Sequence, residues 1–325
     1  MKDFFGMTHD ELFNCEGLEM STKMYVNKAK PHLRTMNTKE VSFSLLSFEF
    51  FKRKKEKSHT LSSSFLALNI LLSISKQRRS PPWSLTSIDT IRTNAAESRA
   101  ELVGFCPEIL VGAGDDDEES RPFPLDVYYI HAPKCWPGWH PRCDDAPEIL
   151  DLREAWMGME AVVGLDHNAK RIGLSNVSPH ELLGIIEFVQ QRKDAGETIP
   201  PPRMPDVLQA FADPIRPAVE LREICQQYGI EFVSYSTLGT QHRNVQENPV
   251  LNSPIVKKIV KKHARSSAEV VLSWAIQNDM SVIPRSSQKR HIQELARLLH
   301  SPPFLDEKDL ADIDSMSGNV VGGEL

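Results

Sequence analysis

One pattern constrains the fold of this chain more than any other: a short apolar run that ends in small or polar residues and passes into a helix. It is clearest at residues 171–176, Arg-Ile-Gly-Leu-Ser-Asn, and recurs at 126–131 (Asp-Val-Tyr-Tyr-Ile-His), 206–209 (Asp-Val-Leu-Gln), 231–236 (Glu-Phe-Val-Ser-Tyr-Ser) and 281–286 (Ser-Val-Ile-Pro-Arg-Ser). Each run is too short for a helix and is rich in the Val, Ile and aromatic residues that suit a pleated, half-buried surface. Strands that alternate with helices pair in parallel. In closed barrels of such units, chemistry collects at the C-terminal strand ends, because the βα loops open onto that face. The residues that finish the runs, His131, Asn176, Gln209, Tyr235 and Ser286, are therefore the first candidates for a site.

The segments between the runs read as helices. Ile149, Leu152, Trp156, Met159 and Val163 recur at spacings of three and four, which lays them on one apolar face. Ser178-Pro179-His180-Glu181 supplies an N-cap, a proline at the first helical position and a reciprocal glutamate. Leu221, Ile224, Cys225 and Tyr228 line a further helix, and Gly229 stands where a left-handed C-terminal residue is expected. Ser253-Pro254 and Ser266-x-x-Glu269 open two more, followed by helices at 291–299 and 306–316. No Gly-x-Gly-x-x-Gly fingerprint opens a helix. Gly112 and Gly114 are followed by an acidic block at 115–119 that would repel a phosphate. The tandem βα units favour a (β/α)8 barrel of the TIM type over a doubly wound sheet.

The N-terminal part fits this pattern poorly. Residues 1–83 form a divergent segment, with a strand-like alternation at 41–51, a basic cluster at 52–57 and an apolar run at 61–74 flanked by Lys76, Arg78 and Arg79. That run contains several serines and is shorter than the ~20 residues a membrane-spanning helix needs, so it reads as a buried or frayed helix. Leu85–Ile88 and Glu108–Gly114 read as short strands. The barrel is placed at 84–316, with its first three βα units incomplete or rebuilt, and 317–325 is a tail. The net charge of −6 gives no global reason to expect nucleic acid or an anionic membrane as a partner. Five cysteines in a chain of 325 residues do not make a disulfide framework, and no signal peptide is evident at the start, so a reducing, cytoplasmic setting is expected.

Taken together, the runs at 126–133, 171–176, 229–239 and 282–287 resemble, in order and approximate spacing, the aldo-keto reductases, (β/α)8 barrels that use NADP(H) to reduce aldehydes and ketones. The resemblance extends from Asp126 to Met316. It implies that Ser175, Asn176 and Gln209 hydrogen-bond the nicotinamide carboxamide and that Tyr235 stacks on its ring. It implies that Ser236 and Leu238 line the pyrophosphate path, and that Arg285 and Ser286 meet the adenosine 2′-phosphate. His291 and Glu294 stand around the adenosine, and His131 matches the histidine that orients the substrate carbonyl. Asp89, in Ile88-Asp89-Thr90, matches the family's catalytic aspartate segment. The substrate implied is a small carbonyl compound.

The departures matter as much. The family's proton transfer uses a Tyr whose pKa is lowered by a Lys. The position expected for the Tyr holds Asn94, and Ala113-Gly114 stand where the Lys is expected. Either another residue supplies the proton, or the chain is a nucleotide-binding module with impaired catalysis, or its N-terminal half is rebuilt. A zinc reading also exists, since His131, Cys135, His140 and Cys143 have ligand-like spacing. Trp136-Pro137-Gly138-Trp139 and Pro141 favour an aromatic substrate-side loop instead, and no metal is assigned.

Overall fold

The computed structural model describes residues 77–105, 124–136, 138, 140–144, 148–242, 246–286 and 288–318. The sequence expectations at 41–51, 52–57, 61–74 and 108–119 lie outside these residues. Six strands form one parallel sheet in sequential order. They are β1 (Gln77–Ser80), β2 (Leu125–Ile130), β3 (Ala169–Ser175), β4 (Val207–Phe211), β5 (Glu231–Tyr235) and β6 (Ser281–Val282). The helices are α1 (Ile88–Phe105), α2 (Pro141–Asp144), α3 (Leu152–Gly164), α4 (Pro179–Asp194), α5 (Val219–Tyr228), α6 (Pro254–His263), α7 (Ser267–Gln277), α8 (Lys289–His300) and α9 (Glu307–Asp314). Parallel neighbours joined through helices, in unbroken order, are the wall of a (β/α)8 barrel.

Two expectations are corrected here. Leu85–Ile88 is not a strand: a 3-10 turn at Pro82–Ser84 leads into α1, with Ser87 accepting a bond from the Thr90 backbone at 3.0 Å. Ile91 and Ala95 then share the buried face of that helix. The strand belonging to this unit is β1, which pairs Arg79 with Tyr129 and Ser80 with Ile130 and so lies ahead of the boundary expected at residue 84. The α1 helix is accordingly the helix between β1 and β2 in the chain.

The predicted helix signals hold. Ser178 and Ser266 each form a reciprocal cap with Glu181 and Glu269, and Asp151 caps α3 by accepting from the backbones of Arg153 and Glu154. Gly229 ends α5 at φ 67°, a conformation glycine adopts without a Cβ clash.

Two apolar layers result. The larger lies between strands and helices and contains Tyr128, Ile130, Trp156, Ile172, Leu174 and Trp274. The smaller fills the inside of the barrel with Val127, Tyr129, Val207 and Val233. Alternation along the strand separates Tyr128 from Tyr129 in this way. Gly173 is a requirement of the inner layer, because a Cβ there would sit 2.6 Å from the Val207 carbonyl oxygen and 2.7 Å from the Tyr129 ring. Gly173→Ala should therefore cost about 1–3 kcal/mol through overpacking. Denaturant unfolding measures this, and a loss below about 0.5 kcal/mol would show that the ring and strand yield freely.

Candidate active site

At the C-terminal ends of the strands lies a cavity of about 1080 Å³. His131 enters it from the end of β2, where its backbone N–H donates to the Ser80 carbonyl at 2.9 Å and so prolongs the β1–β2 ladder. Asn176 follows β3 and Tyr235 ends β5. Their side chains meet: the Tyr235 hydroxyl donates to Asn176 Oδ1 at 2.6 Å, while Asn176 Nδ2 donates to the His131 carbonyl at 2.8 Å. Three strand ends are thus tied into one polar cluster. Asn176 at φ 57° and Ser236 at φ 53° both hold the left-handed backbone region. That region is uncommon away from glycine, and strain of this kind gathers at functional sites.

The lining of the cavity includes a residue that the sequence motifs did not single out. Arg79, at the end of β1, lines it together with His131, Trp136, Asn176 and Tyr235. In the sequence it read as the flanking charge of an apolar run; the signal available was the Pro81-Pro82 break directly after it, which ends a strand. The Arg79 residue is solvent-exposed within the cavity, and partial desolvation by the surrounding groups lowers its pKa, with Tyr129 and Tyr235 opposing; a guanidinium stays charged in proteins. Its field and the surroundings act on His131, whose pKa is lowered to about 4, chiefly by burial and then by Arg79. The imidazole is therefore neutral at ordinary pH. Burial raises the Tyr235 pKa, with Arg79 opposing, so its hydroxyl keeps its proton.

One arm of the cavity runs from Ser236, Thr237 and Leu238 toward Arg285, Ser286, Gln288 and His291. The segment after β5 is held firmly. Asn248 donates to the Leu238 carbonyl at 2.7 Å and accepts from the backbones of Val250 and Leu251. His242 pairs with the buried Asp213 at 2.7 Å. Gly239 is needed here, at φ 76° and with Val250 against the place a Cβ would take. At the far end α8 begins without a side-chain cap of its own, and Ser286 Oγ accepts from the Gln288 backbone at 3.1 Å. An uncapped helix start beside an arginine and a histidine suits an anion.

The sequence candidates divide accordingly. His131, Asn176, Tyr235, Ser236, Leu238, Arg285, Ser286 and His291 line the cavity. Ser175 and Gln209 are fully buried behind it, Ser175 accepting from Asn176 Nδ2 at 3.1 Å. Glu294 is buried on α8 and accepts from Arg290 at 3.0 Å. Asp89 is a correction: it lies in the first turn of α1 with its side chain 88% exposed, 3.5 Å from Arg92, and does not line the cavity. The residue that mimicked a catalytic strand end belongs to a helix start, where an acidic side chain suits the dipole. The zinc alternative is corrected too. Cys135 and Cys143 are joined to each other, a pairing the cysteine count did not foresee, and His140 stacks on Trp83 with ring centroids 4.3 Å apart. Asn94, which stands at the expected tyrosine position, is on α1. Among the described residues, no helix is long and apolar enough to cross a membrane.

Comparison with known proteins agrees with this geometry. The family model described as Aldo/keto reductase family matches residues 121–317. A 9,11-endoperoxide prostaglandin H2 reductase of Trypanosoma cruzi is 28% identical over 201 residues, covering 62% of this chain and 59% of the relative. An NAD(P)H-dependent D-xylose reductase of Aspergillus niger is 27% identical over 181 residues, 53% of each chain. The aldo-keto reductase family 1 member A1 of Cricetulus griseus is 31% identical over 173 residues, 50% of this chain and 49% of the relative. The chain thus spans about half the length of the relatives it matches. Among solved structures, an aldo-keto reductase of Bombyx mori in complex with NADP superposes with a TM-score of 0.57 at 20% identity, over 80% of this chain and 75% of that one. An aldo/keto reductase from Brucella melitensis gives 0.53 at 20% identity, over 78% and 79%.

Proposed function

Because the chain belongs to the aldo/keto reductase family, we propose that it is an NADP(H)-dependent oxidoreductase that reduces an aldehyde or ketone by hydride transfer. The observation that carries this reading is the convergence of His131, Asn176, Tyr235 and Arg285 on one cavity at the strand ends. The residues fit the cofactor. A tyrosine face at a strand end can stack on a flat ring, the Asn176 amide can both donate and accept toward a carboxamide, and the uncapped start of α8 beside Arg285 and Ser286 can hold a phosphate. When bound, the nicotinamide supplies a hydride. Ser236 and Leu238 would line its pyrophosphate path, with Asn248 and the Asp213–His242 pair keeping that segment in place.

On the protein's side, the neutral His131 imidazole presents an N–H to the carbonyl oxygen and orients it. The Arg79 guanidinium offsets the negative charge that grows on that oxygen as the carbon–oxygen π bond opens. The proton that completes the alcohol comes from water reaching the cavity. NADPH consumption with a panel of aldehydes and ketones tests the proposal, and no consumption above background with any of them would overturn it. A second reading is favoured by one observation. Tyr235 is the only tyrosine lining the cavity among the described residues, and its hydroxyl is engaged by Asn176. A nucleotide-binding module with impaired catalysis would then bind NADPH, seen as a change in nicotinamide fluorescence, without turnover.

Cofactor choice gives a sharper expectation. A 2′-phosphate adds negative charge where Arg285 stands, and a charge-assisted bond contributes roughly 1.5–3 kcal/mol, or about ten- to a hundred-fold in affinity. Arg285→Ala should weaken NADPH binding by that factor and leave NADH binding nearly unchanged. Dissociation constants for both cofactors on both proteins measure it. Equal losses would mean that Arg285 does not face the 2′-phosphate, and the preference for NADP(H) would go with it.

A further inference from the structure

Arg79 has a feature the general reductase reading does not use. It stands on the inner face of β1, in register with Tyr129 of β2, and lines the cavity beside His131. What acts on it is partial desolvation and the phenols of Tyr129 and Tyr235; no carboxylate among the described residues pairs with it. Arg79 is exposed to the solvent that fills this cavity, so its charge needs no partner within the protein and is available to an anion bound there. The chain does not lack carboxylates, with a net charge of −6, and elsewhere it pairs its arginines closely: Arg92 with Asp166, Arg171 with Glu231, Arg192 with Glu160 and Arg203 with Asp206. Arg79 is left facing the substrate space.

A guanidinium is a planar fork that matches a carboxylate through two parallel bonds. Beside it, His131 is a neutral hydrogen-bond partner that adds no second positive charge, and the Trp136 ring borders the same space. We propose that the substrate is a 2-oxo acid, its carboxylate held by Arg79 and its adjacent carbonyl oxygen by His131, so that Arg79 sets the specificity of the site. This rests on the reductase reading. The reaction is a hydride added to the carbonyl carbon and one proton from water added to its oxygen. The product is a 2-hydroxy acid, the nicotinamide is oxidised, and the carboxylate is unchanged. The guanidinium thereby meets both the resident anion and the charge developing next to it.

The test compares pyruvate with its neutral isostere pyruvamide as substrates, and measures by calorimetry the binding of oxamate, an unreactive pyruvate analogue, with and without NADP+. The wild type should prefer pyruvate in kcat/KM by roughly ten- to a hundred-fold, the worth of a charge-assisted pair. Arg79→Gln should bring that ratio close to one and weaken oxamate binding by the same factor, while NADP+ affinity stays within about two-fold, a span of under 0.5 kcal/mol. Arg79→Lys, which keeps the charge but loses the fork, should fall between. A wild type that reduces pyruvamide as well as pyruvate, or oxamate binding unaltered by Arg79→Gln, would overturn the proposal and leave the reductase reading intact. A larger loss for NADP+ than for oxamate would overturn it also, by moving Arg79 to the cofactor. If no carbonyl is reduced at all, the reductase reading fails, and Arg79-dependent oxamate binding still reports on the anion site by itself.

Discussion

Replacing His131 with leucine should lower kcat for the best carbonyl substrate by about 10²–10³-fold, the usual effect of removing one hydrogen-bond donor aimed at a developing oxyanion. The effect should fall on kcat more than on KM, because the bond strengthens as charge accumulates on the oxygen. The pH dependence separates this role from simple packing. Burial first, and Arg79 second, hold the His131 pKa at about 4, so the side chain stays neutral from alkaline pH down past its ordinary 6.5. The wild-type rate should therefore show no titration near 6.5. Stability should respond in the opposite region. The unfolded chain takes up the histidine proton first as pH falls, so the contribution of the neutral imidazole is complete above about 6.5 and is lost between there and about 4. The loss amounts to roughly 3 kcal/mol, and the leucine variant should lack it. A leucine variant with wild-type kcat, or a wild-type rate that titrates near 6.5, would remove His131 from the chemistry.

How far the site could be read from the sequence depended on whether its residues sit on strands with their own helical punctuation. His131, Asn176, Gln209, Tyr235 and Ser286 each end an apolar run followed by a helix signal; the cavity gathers four of these five, and Gln209 is buried outside its lining. The same logic failed at Asp89 because a capping signal, Ser87 before Ile88-Asp89-Thr90, was taken for the end of a strand. A four-residue stretch cannot show the difference between a period of 2 and one of 3.6. Only the burial of Ile91 and Ala95 further along the helix resolves it. Arg79 was hidden for a related reason. The described part of β1 is Gln-Arg-Arg-Ser, with no apolar alternation, since it draws its order from pairing with β2 and not from its own side chains. The Cys135–Cys143 link was equally invisible, because cysteine counting bears on whole frameworks and not on one loop.

The largest expected loss of stability lies on the far side of the sheet from the cavity. Arg192 of α4 is 5% exposed and Glu160 of α3 fully buried, and the two are paired. Arg192 also donates to Glu197 at 2.6 Å and to the Pro200 carbonyl at 3.0 Å, while Glu160 accepts from the Arg203 backbone at 2.8 Å. The pair therefore joins two neighbouring helices to the chain that leads into β4. Arg192→Ala leaves a buried carboxylate with one backbone donor and no cation, which should cost about 3–5 kcal/mol in denaturant unfolding. The penalty belongs to the stranded charge and not to a missing attraction, and a second variant distinguishes the two. Removing both charges in an Arg192→Met, Glu160→Met protein should recover most of the loss, because well-packed apolar groups replace a buried ion pair at little cost. Neither residue lines the cavity, so the folded fraction of each variant should bind NADPH like the wild type. A double variant as unstable as Arg192→Ala would show that the helices are held by the hydrogen bonds to Glu197, Pro200 and Arg203, and that the charge of Glu160 is incidental.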